Sequence, residues 1–192
     1  MADKPHSRQK PRILAQEIVA QSRLFKIEQV QLQFSNGEER LFERMRGSGR
    51  GAVMVVACPD PQHFYLIREY CAGTDDYQLG FPKGLIDPGE TALQAADREL
   101  KEEAGFGASW LRELRSVALA PGYFNATMQI VLAGGLYAER LEGDEPEPLE
   151  LVQWRWDQLD ELLAQADFTE ARSVAALFLA RKYLDSHPDV FK

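Results

Sequence analysis

Cysteine and histidine are scarce in this 192-residue chain, which has two of the first and three of the second. Cys58 and Cys71 form no Cys-x-x-Cys pair, and His6, His63 and His187 are too scattered to complete a zinc-ligand spacing with them. Both thiols are therefore expected to be buried or idle. Basic residues are also outnumbered, 22 Lys and Arg against 30 Asp and Glu, for a formal net charge of -8. That balance opposes binding to phosphate backbones, whose non-specific affinity comes from Lys and Arg releasing condensed counterions, so no nucleic-acid partner is expected. No apolar run approaches the roughly 20 residues that span a bilayer. The polar, basic start MADKPHSRQKPRIL lacks the apolar stretch of a signal peptide. No membrane partner is expected, and the chain is expected in the cytoplasm.

What remains is an ordinary globular composition, 45% hydrophobic and 27% charged. The length suits one domain of roughly 100–150 residues with an appendage. Residues 1–11, polar and broken by Pro5 and Pro11, read as a disordered leader. Residues 12–48 read as an N-terminal antiparallel β unit, and 49–192 as the main α/β domain. Within the β unit, Phe25 to Phe34 alternates like a strand, Ser35-Asn36-Gly37 is a tight-turn signal, and Glu39 to Met45 returns as the partner. A hairpin is only marginally stable alone, so this unit has to cover something, and a second copy in a homodimer is the expected partner.

In the main domain, Ala52 to Ala57 and Phe64 to Ile67 predict two central strands joined by the loop CPDPQH. The stretch AGTDDYQLG reads as a polar loop, and FPKGLIDPGE is too rich in Pro and Gly for a long regular element. A helix is predicted from Thr91 to Ala104, with Thr91 and Gln94 forming a capping box and Gly105 stopping it. Ser116 to Ala120 and Met128 to Tyr137 read as strands flanking a loop with Pro121, Gly122 and Asn125. The acidic segment Leu141 to Glu150 precedes the strand LVQWRW. Two helices follow, Trp156 to Ala164 and Glu170 to Leu184, the second with Val174, Leu177, Phe178 and Leu184 on its apolar face.

The segment GLIDPGETALQAADRELKEEAGF, Gly84 to Phe106, carries the chemistry. Glu99 and Glu103 lie one helical step of four apart, about 40° of rotation, and Glu102 lies about 60° to the other side of Glu99, so the three carboxylates are able to converge. Like charges at these spacings repel by roughly 0.2–0.5 kcal/mol per pair, and a bound cation reverses that sign. An all-oxygen cluster suits Mg²⁺, or Mn²⁺, hard ions that share coordination positions with substrate phosphates. A solvated helix face with surface ion pairs is the simpler alternative, but the spacing of fixed residues argues against it. Gly84, Glu90, Arg98, Glu99, Leu100, Glu102, Glu103, Gly105 and Phe106 match G-x5-E-x7-R-E-U-x-E-E-x-G-U, with U apolar, at every specified position. Seven fixed identities arise by chance on the order of 10⁻⁸ per starting point.

That pattern is the Nudix box, and the chain resembles the Nudix hydrolases. The resemblance implies an α/β/α sandwich around a mixed sheet and hydrolysis of a nucleoside diphosphate linked to another moiety. It implies Glu99 and Glu103 as main metal ligands and Glu102 as a further ligand or water-mediated contact. Arg98 and Glu90 would pair to hold loop and helix in register, and Gly84 and Gly105 would permit tight backbone turns. Pro121, fifteen positions after Phe106 in LAPGYFN, stands where the ADP-ribose pyrophosphatases of this superfamily carry a proline marker. LIREY followed by QLGFPKGLIDPGE also resembles that group, although its usual Glu-Leu-Pro is here Leu-Gly-Phe-Pro. With FERMR, SNG, LEGDEPEP and the final helix, the chain is most similar to the bacterial ADP compounds hydrolases of the superfamily. A small-molecule nucleotide substrate is implied, among ADP-ribose, diadenosine di- and triphosphate and NADH, with AMP as product.

The box supplies no base beside the attacking water, and similar enzymes take a glutamate from a late loop. Here that loop is LEGDEPEPLE, with Glu147 favoured by its distance before LVQW and Glu145 second. Arg68 is the first choice for a pyrophosphate contact because its planar fork pairs phosphate oxygens bidentately, and Arg44 and Arg46 are weaker candidates that equally suit a strand surface. Phe25, Phe34, Tyr70 and Tyr123 are candidates to line an adenine slot. Two other readings compete. A nucleoside triphosphate or RNA 5′-end pyrophosphohydrolase would need a triphosphate pocket or a basic face. A non-catalytic ADP-ribose sensor would be expected to have lost a box carboxylate.

Overall fold

The computed structural model describes residues 9–47 and 49–192, so residues 1–8 of the expected leader lie outside the described residues. The chain divides into two compact units, Met1–Gly49 with Ala120–Ala126, and Arg50–Leu119 with Thr127–Lys192.

In the first unit, β1 (Arg12–Gln21), β2 (Lys26–Gln33) and β3 (Glu39–Met45) form an antiparallel meander. The β2–β3 hairpin follows the alternation in its sequence, with Ile27 opposite Met45 and Gln33 opposite Glu39. Gly37 supplies the left-handed residue of the turn at φ 86°, and Asn36 Oδ1 accepts from the Glu38 amide at 3.1 Å. Strand β1 was not anticipated, and its pairing explains why. Register shifts between Ile13 and Ala15 and between Ile18 and Ala20 change the phase of the strand twice, so Ile13, Leu14, Ile18 and Val19 never alternate as a flat strand would. Glu28, buried to 2% exposure, is held by Arg44 at 2.7 Å and Arg46 at 3.3 Å. The Met45 amide donates to the Tyr123 carbonyl at 2.7 Å and the Gly47 amide to Asn125 Oδ1 at 2.8 Å, which ties the segment Ala120–Ala126 into this unit.

The second unit is built on β4 (Ala52–Asp60). One edge of β4 runs parallel to β9 (Phe124–Ala138), from Ala52 opposite Met128 to Cys58 opposite Gly134. The other edge pairs antiparallel with β5 (His63–Cys71) and β7 (Lys83–Leu85). β5 also pairs with β6 (Asp76–Gly80) and β10 (Glu150–Arg155), and β8 (Phe106–Ala120) pairs with β9. The sheet is mixed, and its central strands feed two cores in alternation. Met54, Val56 and Cys58 with Ile130 and Leu132 pack on one face beneath α2 (Leu159–Leu163) and α3 (Ala171–Ser186). Val53, Val55 and Ala57 with Val131 and Ala133 pack on the other face against Ala95, Ala96, Leu100 and Ala104 of the box helix. A period of two on strands buried on both faces, each face covered by helices, gives the α/β/α sandwich.

Several boundaries differ from the sequence reading. Pro59 and Asp60 of CPDPQH continue β4, and β6 occupies much of AGTDDYQLG. β8 begins at Phe106, ten residues before Ser116. The helix Trp156 to Ala164 is a 3₁₀ turn, Trp156–Gln158, followed by α2. Phe178, placed on the apolar face of the last helix, is 53% exposed; Ser173, Ala176, Leu177 and Ala180 are the buried residues of that helix.

The box helix is α1 (Ala92–Glu99) continued by a π-helical turn, Leu100–Ala104. Thr91 and Gln94 close the capping box in both directions, and Gly105 ends the turn at φ 77°. Replacing Thr91 by Ala removes a side-chain cap worth about 1 kcal/mol, and the thermal midpoint should fall by about 2–4 °C. An unchanged midpoint in calorimetry would show that the cap contributes nothing.

Candidate active site

A cleft of about 550 Å³ opens in the second unit where β7, β5, the box helix and the loop 142–145 meet. Eight carboxylates line it, Glu69, Asp87, Glu99, Glu102, Glu103, Glu142, Asp144 and Glu145, against two cations, Lys83 and Arg98. Such an excess of acid within one cleft is costly unless further cations enter.

Glu99 and Glu103 are the most deeply set of these, 7% and 5% exposed. They lie on either side of the junction between α-helix and π-turn. A π-turn holds more residues than the 3.6 of an α-turn, which brings side chains four apart nearer to eclipse and re-aims Glu103. Burial pushes the Glu103 carboxyl up to about 8, opposed by the Lys83 charge and by the Lys83 amide, which donates to Glu103 Oε2 at 2.7 Å. Burial likewise raises Glu99 above the usual carboxylate range in spite of Arg98. Lys83 itself is pushed down by burial, but Glu103 and its ion pair with Glu69 outweigh that and hold it above the ordinary lysine value.

Arg98 ties the box together. Its Nε and Nη2 donate to Glu90 at 2.9 and 3.0 Å, and Nη2 also donates to the Leu85 carbonyl at 2.9 Å, joining the approach loop to the helix. The Arg98 bonds hold Glu90 below the usual carboxylate range. Nη1 lies 2.7 Å from Glu99 and 2.8 Å from Glu102. Gly84 matters here for space, a reason the sequence did not suggest: a Cβ there would overlap the Glu99 carboxylate and push that flexible end aside. Gly105, by contrast, needs its left-handed backbone.

The structure gathers Glu99, Glu102, Glu103, Arg98 and Glu145 around this cleft. Glu147 does not line it; its carboxylate accepts from the Tyr77 hydroxyl at 2.5 Å. Arg68 also lies outside the lining, paired with Glu150 at 2.8 Å and with Asp167. Arg44, Arg46 and Pro121 belong to the first unit, where the two arginines hold Glu28 and Pro121 lines a cleft of about 210 Å³ with Val30, Leu32 and Phe42. Phe25, Phe34, Tyr70 and Tyr123 are exposed. Lys83 and Glu69 were missed. The residue pattern held one signal, a lysine flanked by Pro82 and Gly84 immediately before the box.

Among the described residues no three His, Cys, Asp or Glu side chains stand close enough to hold a metal ion as they are placed. The expected convergence of three carboxylates is therefore incomplete: Arg98 separates Glu99 from Glu102, and the Lys83 amide holds Glu103. The donors still fit a hard divalent cation. They are all oxygen, two are buried with raised pKa values, and one guanidinium nitrogen already bridges Glu99 and Glu102 as a shared cation would.

A mixed-sheet sandwich with an acidic cleft on a loop–helix–loop defines the class, a hydrolase that works on anionic substrates with divalent metal. Residues 11–44 match the NudE-type Nudix hydrolase N-terminal domain and residues 49–178 match the NUDIX domain. The chain is 57% identical over 178 residues to the ADP compounds hydrolase NudE of Escherichia coli (strain K12), covering 93% of this chain and 95% of that protein. A crystal structure of an ADP compounds hydrolase superposes with a TM-score of 0.90 at 55% identity, covering 96% of this chain and 99% of the other. The ADP-sugar pyrophosphatase of Mus musculus is 27% identical, over 92% of this chain and 89% of its own length. The chain belongs to the Nudix hydrolase family.

Two outcomes follow from the cleft. Gly84→Ala should displace the Glu99 carboxylate and raise the divalent-ion concentration needed for half-maximal activity by about tenfold, one ligand's worth of positioning. An unchanged metal requirement would remove the spatial argument. For Glu103, a carboxyl near 8 in the folded chain against about 4.5 unfolded means the folded state keeps a proton that the unfolded state releases. In EDTA, stability should decline as pH rises between those values. Glu103→Gln should then melt above the parent at pH 8 and approach it near pH 4, while added Mg²⁺ should raise the parent's midpoint more than the variant's.

Proposed function

We propose that the chain hydrolyses the pyrophosphate of ADP-linked small molecules, with ADP-ribose, diadenosine di- and triphosphate and NADH as the substrate set and AMP as the shared product. One observation carries the reading: likeness to an ADP compounds hydrolase runs across 93% of the chain, and the chain itself matches every fixed position of the box. We assign Mg²⁺, with Mn²⁺ able to replace it, because the donors are hard carboxylate oxygens.

When bound, the divalent ion supplies charge neutralisation for the pyrophosphate and makes water more acidic. Glu99 and Glu103 would hold it, with Glu102 joining directly or through water. Arg98 acts on the reaction through structure, keeping the loop at Glu90 in register with the helix. A late-loop glutamate accepts the proton of the attacking water as the new P–O bond forms and the bridging P–O bond breaks. Of the two candidates, Glu145 is supported by its place in the cleft and Glu147 only by its place in the sequence. Arg68, Arg44 and Arg46 are candidates to bind the substrate's phosphates. Each is already held by carboxylates, so a phosphate would have to replace Glu150 or Asp167 at Arg68, or Glu28 at the others. Pro121 would mark the ADP-ribose-type loop.

Residues 12–48 act in this reading as a dimerisation unit. Support comes from β1, which is exposed along its whole length and carries Ile13, Ile18 and Val19 at 41–52% exposure, a surface that is normally covered. Residues 49–192 form the Nudix domain proper. No helix among the described residues is long and apolar enough to cross a membrane, and we place the protein in the cytoplasm without a nucleic-acid partner.

AMP release from ADP-ribose, diadenosine triphosphate, NADH and a nucleoside triphosphate, each with Mg²⁺, Mn²⁺ or EDTA, tests the activity. Metal-dependent AMP from the first three is expected; reaction of the triphosphate alone would overturn the substrate class. Glu103→Gln should stay folded and lose about a hundredfold or more in kcat, the scale for losing a charge-stabilising ligand. In light scattering the full chain should run at twice the mass of one chain, and deletion through Arg46 should give monomer or aggregate.

A further inference from the structure

The loop between the end of β9 and the start of β10 is thinly held. The Glu139 amide donates to the Gly105 carbonyl at 3.1 Å and the Leu141 amide to the Lys101 carbonyl at 3.2 Å. At the far end Glu150 enters β10 opposite Arg68. Between them, among the described residues, residues 142–149 make a single hydrogen bond and no ion pair: Glu147 Oε1 accepts from the Tyr77 hydroxyl at 2.5 Å. That same loop carries Glu145 into the acidic cleft. It passes close over the helix there, since a Cβ at Gly143 would lie 3.6 Å from Glu102 Cβ.

We propose that Tyr77 is a positioning residue: through Glu147 it fixes the acidic loop 142–149 so that Glu145 stays at the cleft. The proposal rests on the reading that hydrolysis takes place in this cleft. Tyr77 is suited to the task because its own ring is held. It sits on β6, paired with Tyr70 of β5, whose ring meets it edge-on at 5.7 Å and 69°. Tyr70 is fixed in turn by its hydroxyl, which donates to Asp75 Oδ1 at 2.6 Å. Asp75 stands at φ 53° in the β5–β6 turn, a left-handed conformation that aspartate tolerates. A rigid hairpin therefore presents one donor to an otherwise untethered loop. The two glutamates of that loop divide the work, Glu147 as tether and Glu145 facing the chemistry. A tether of this kind acts on the geometry of the proton acceptor, so it should appear in kcat and leave KM nearly unchanged.

The test compares Tyr77→Phe, Glu147→Ala and the double variant, by steady-state kinetics with ADP-ribose and Mg²⁺ and by amide hydrogen exchange over residues 142–149. Each single variant should lose about tenfold in kcat with KM within about twofold, and the double variant should be no worse than the singles, because both remove one bond. Exchange over the loop should rise in all three while thermal midpoints stay together. Restoring an acceptor with Glu147→Gln should recover part of kcat. Wild-type kcat in Tyr77→Phe would overturn the proposal. So would a Glu147→Ala loss far larger than the Tyr77→Phe loss, which would give proton transfer to Glu147. If the parent protein turns over none of the substrates, the functional reading fails, and loop exchange alone decides the tether: faster exchange in Tyr77→Phe supports it and unchanged exchange overturns it.

Discussion

The guanidinium of Arg98 is the tie on which the site depends. It reaches Glu90 and the Leu85 carbonyl on the approach loop and Glu99 and Glu102 on the helix. One planar group with its donors in a fixed fork can satisfy all of these at once, which a lysine cannot. Without it the approach loop would keep only the cap and the Lys83 amide bond to Glu103 as polar links to the helix, and two carboxylates would face each other without the guanidinium between them. Its burial among acids is sustained because every donor direction used ends on an oxygen.

The carboxylates in turn are where they are because the sheet beneath them is closed on both faces. Val53, Val55 and Ala57 receive Ala96, Leu100 and Ala104, and this packing presses the helix down so that Glu99 and Glu103 point back into the protein. Small residues at Ala95, Ala96 and Ala104 permit the close approach, and Gly84 leaves the space the Glu99 carboxylate fills. The π-turn adds a final adjustment at Glu103. Desolvation is the physical consequence: carboxylates held in such a place bind protons too readily, and a divalent cation relieves the same penalty more completely.

Around this rigid centre the acidic loop is the least constrained part of the cleft. It brings further negative charge to a region already rich in it, so repulsion favours an open loop and the Tyr77–Glu147 bond opposes that opening. Entry of cations would shift the balance toward closure by neutralising the cleft. The first unit stands on different physics. Among the described residues its one deeply buried charge, Glu28, is matched by two arginines, and its outermost strand β1 keeps apolar side chains exposed.

How much could be read in advance followed the range of the interaction. The box spacing, the capping box at Thr91 and Gln94, the stop at Gly105 and the turn at Asn36-Gly37 are local devices, and the chain alone determined them because their partners lie within a few residues. The short continuous apolar run Ala52 to Ala57 likewise announced a central strand. Long-range contacts decided the rest. Strand β1 hides its period behind two register shifts, and β6 is extended because β5 offers an edge. Phe178 stays outside while Ser173, Ala176, Leu177 and Ala180 form the buried face of α3, and Lys83 joins the site only when β7 aligns beside β4. Whether Glu145 or Glu147 faces the cleft was beyond the sequence for the same reason. Two glutamates two residues apart are chemically alike, and only a tyrosine seventy residues upstream, brought near by the sheet, makes one of them a tether.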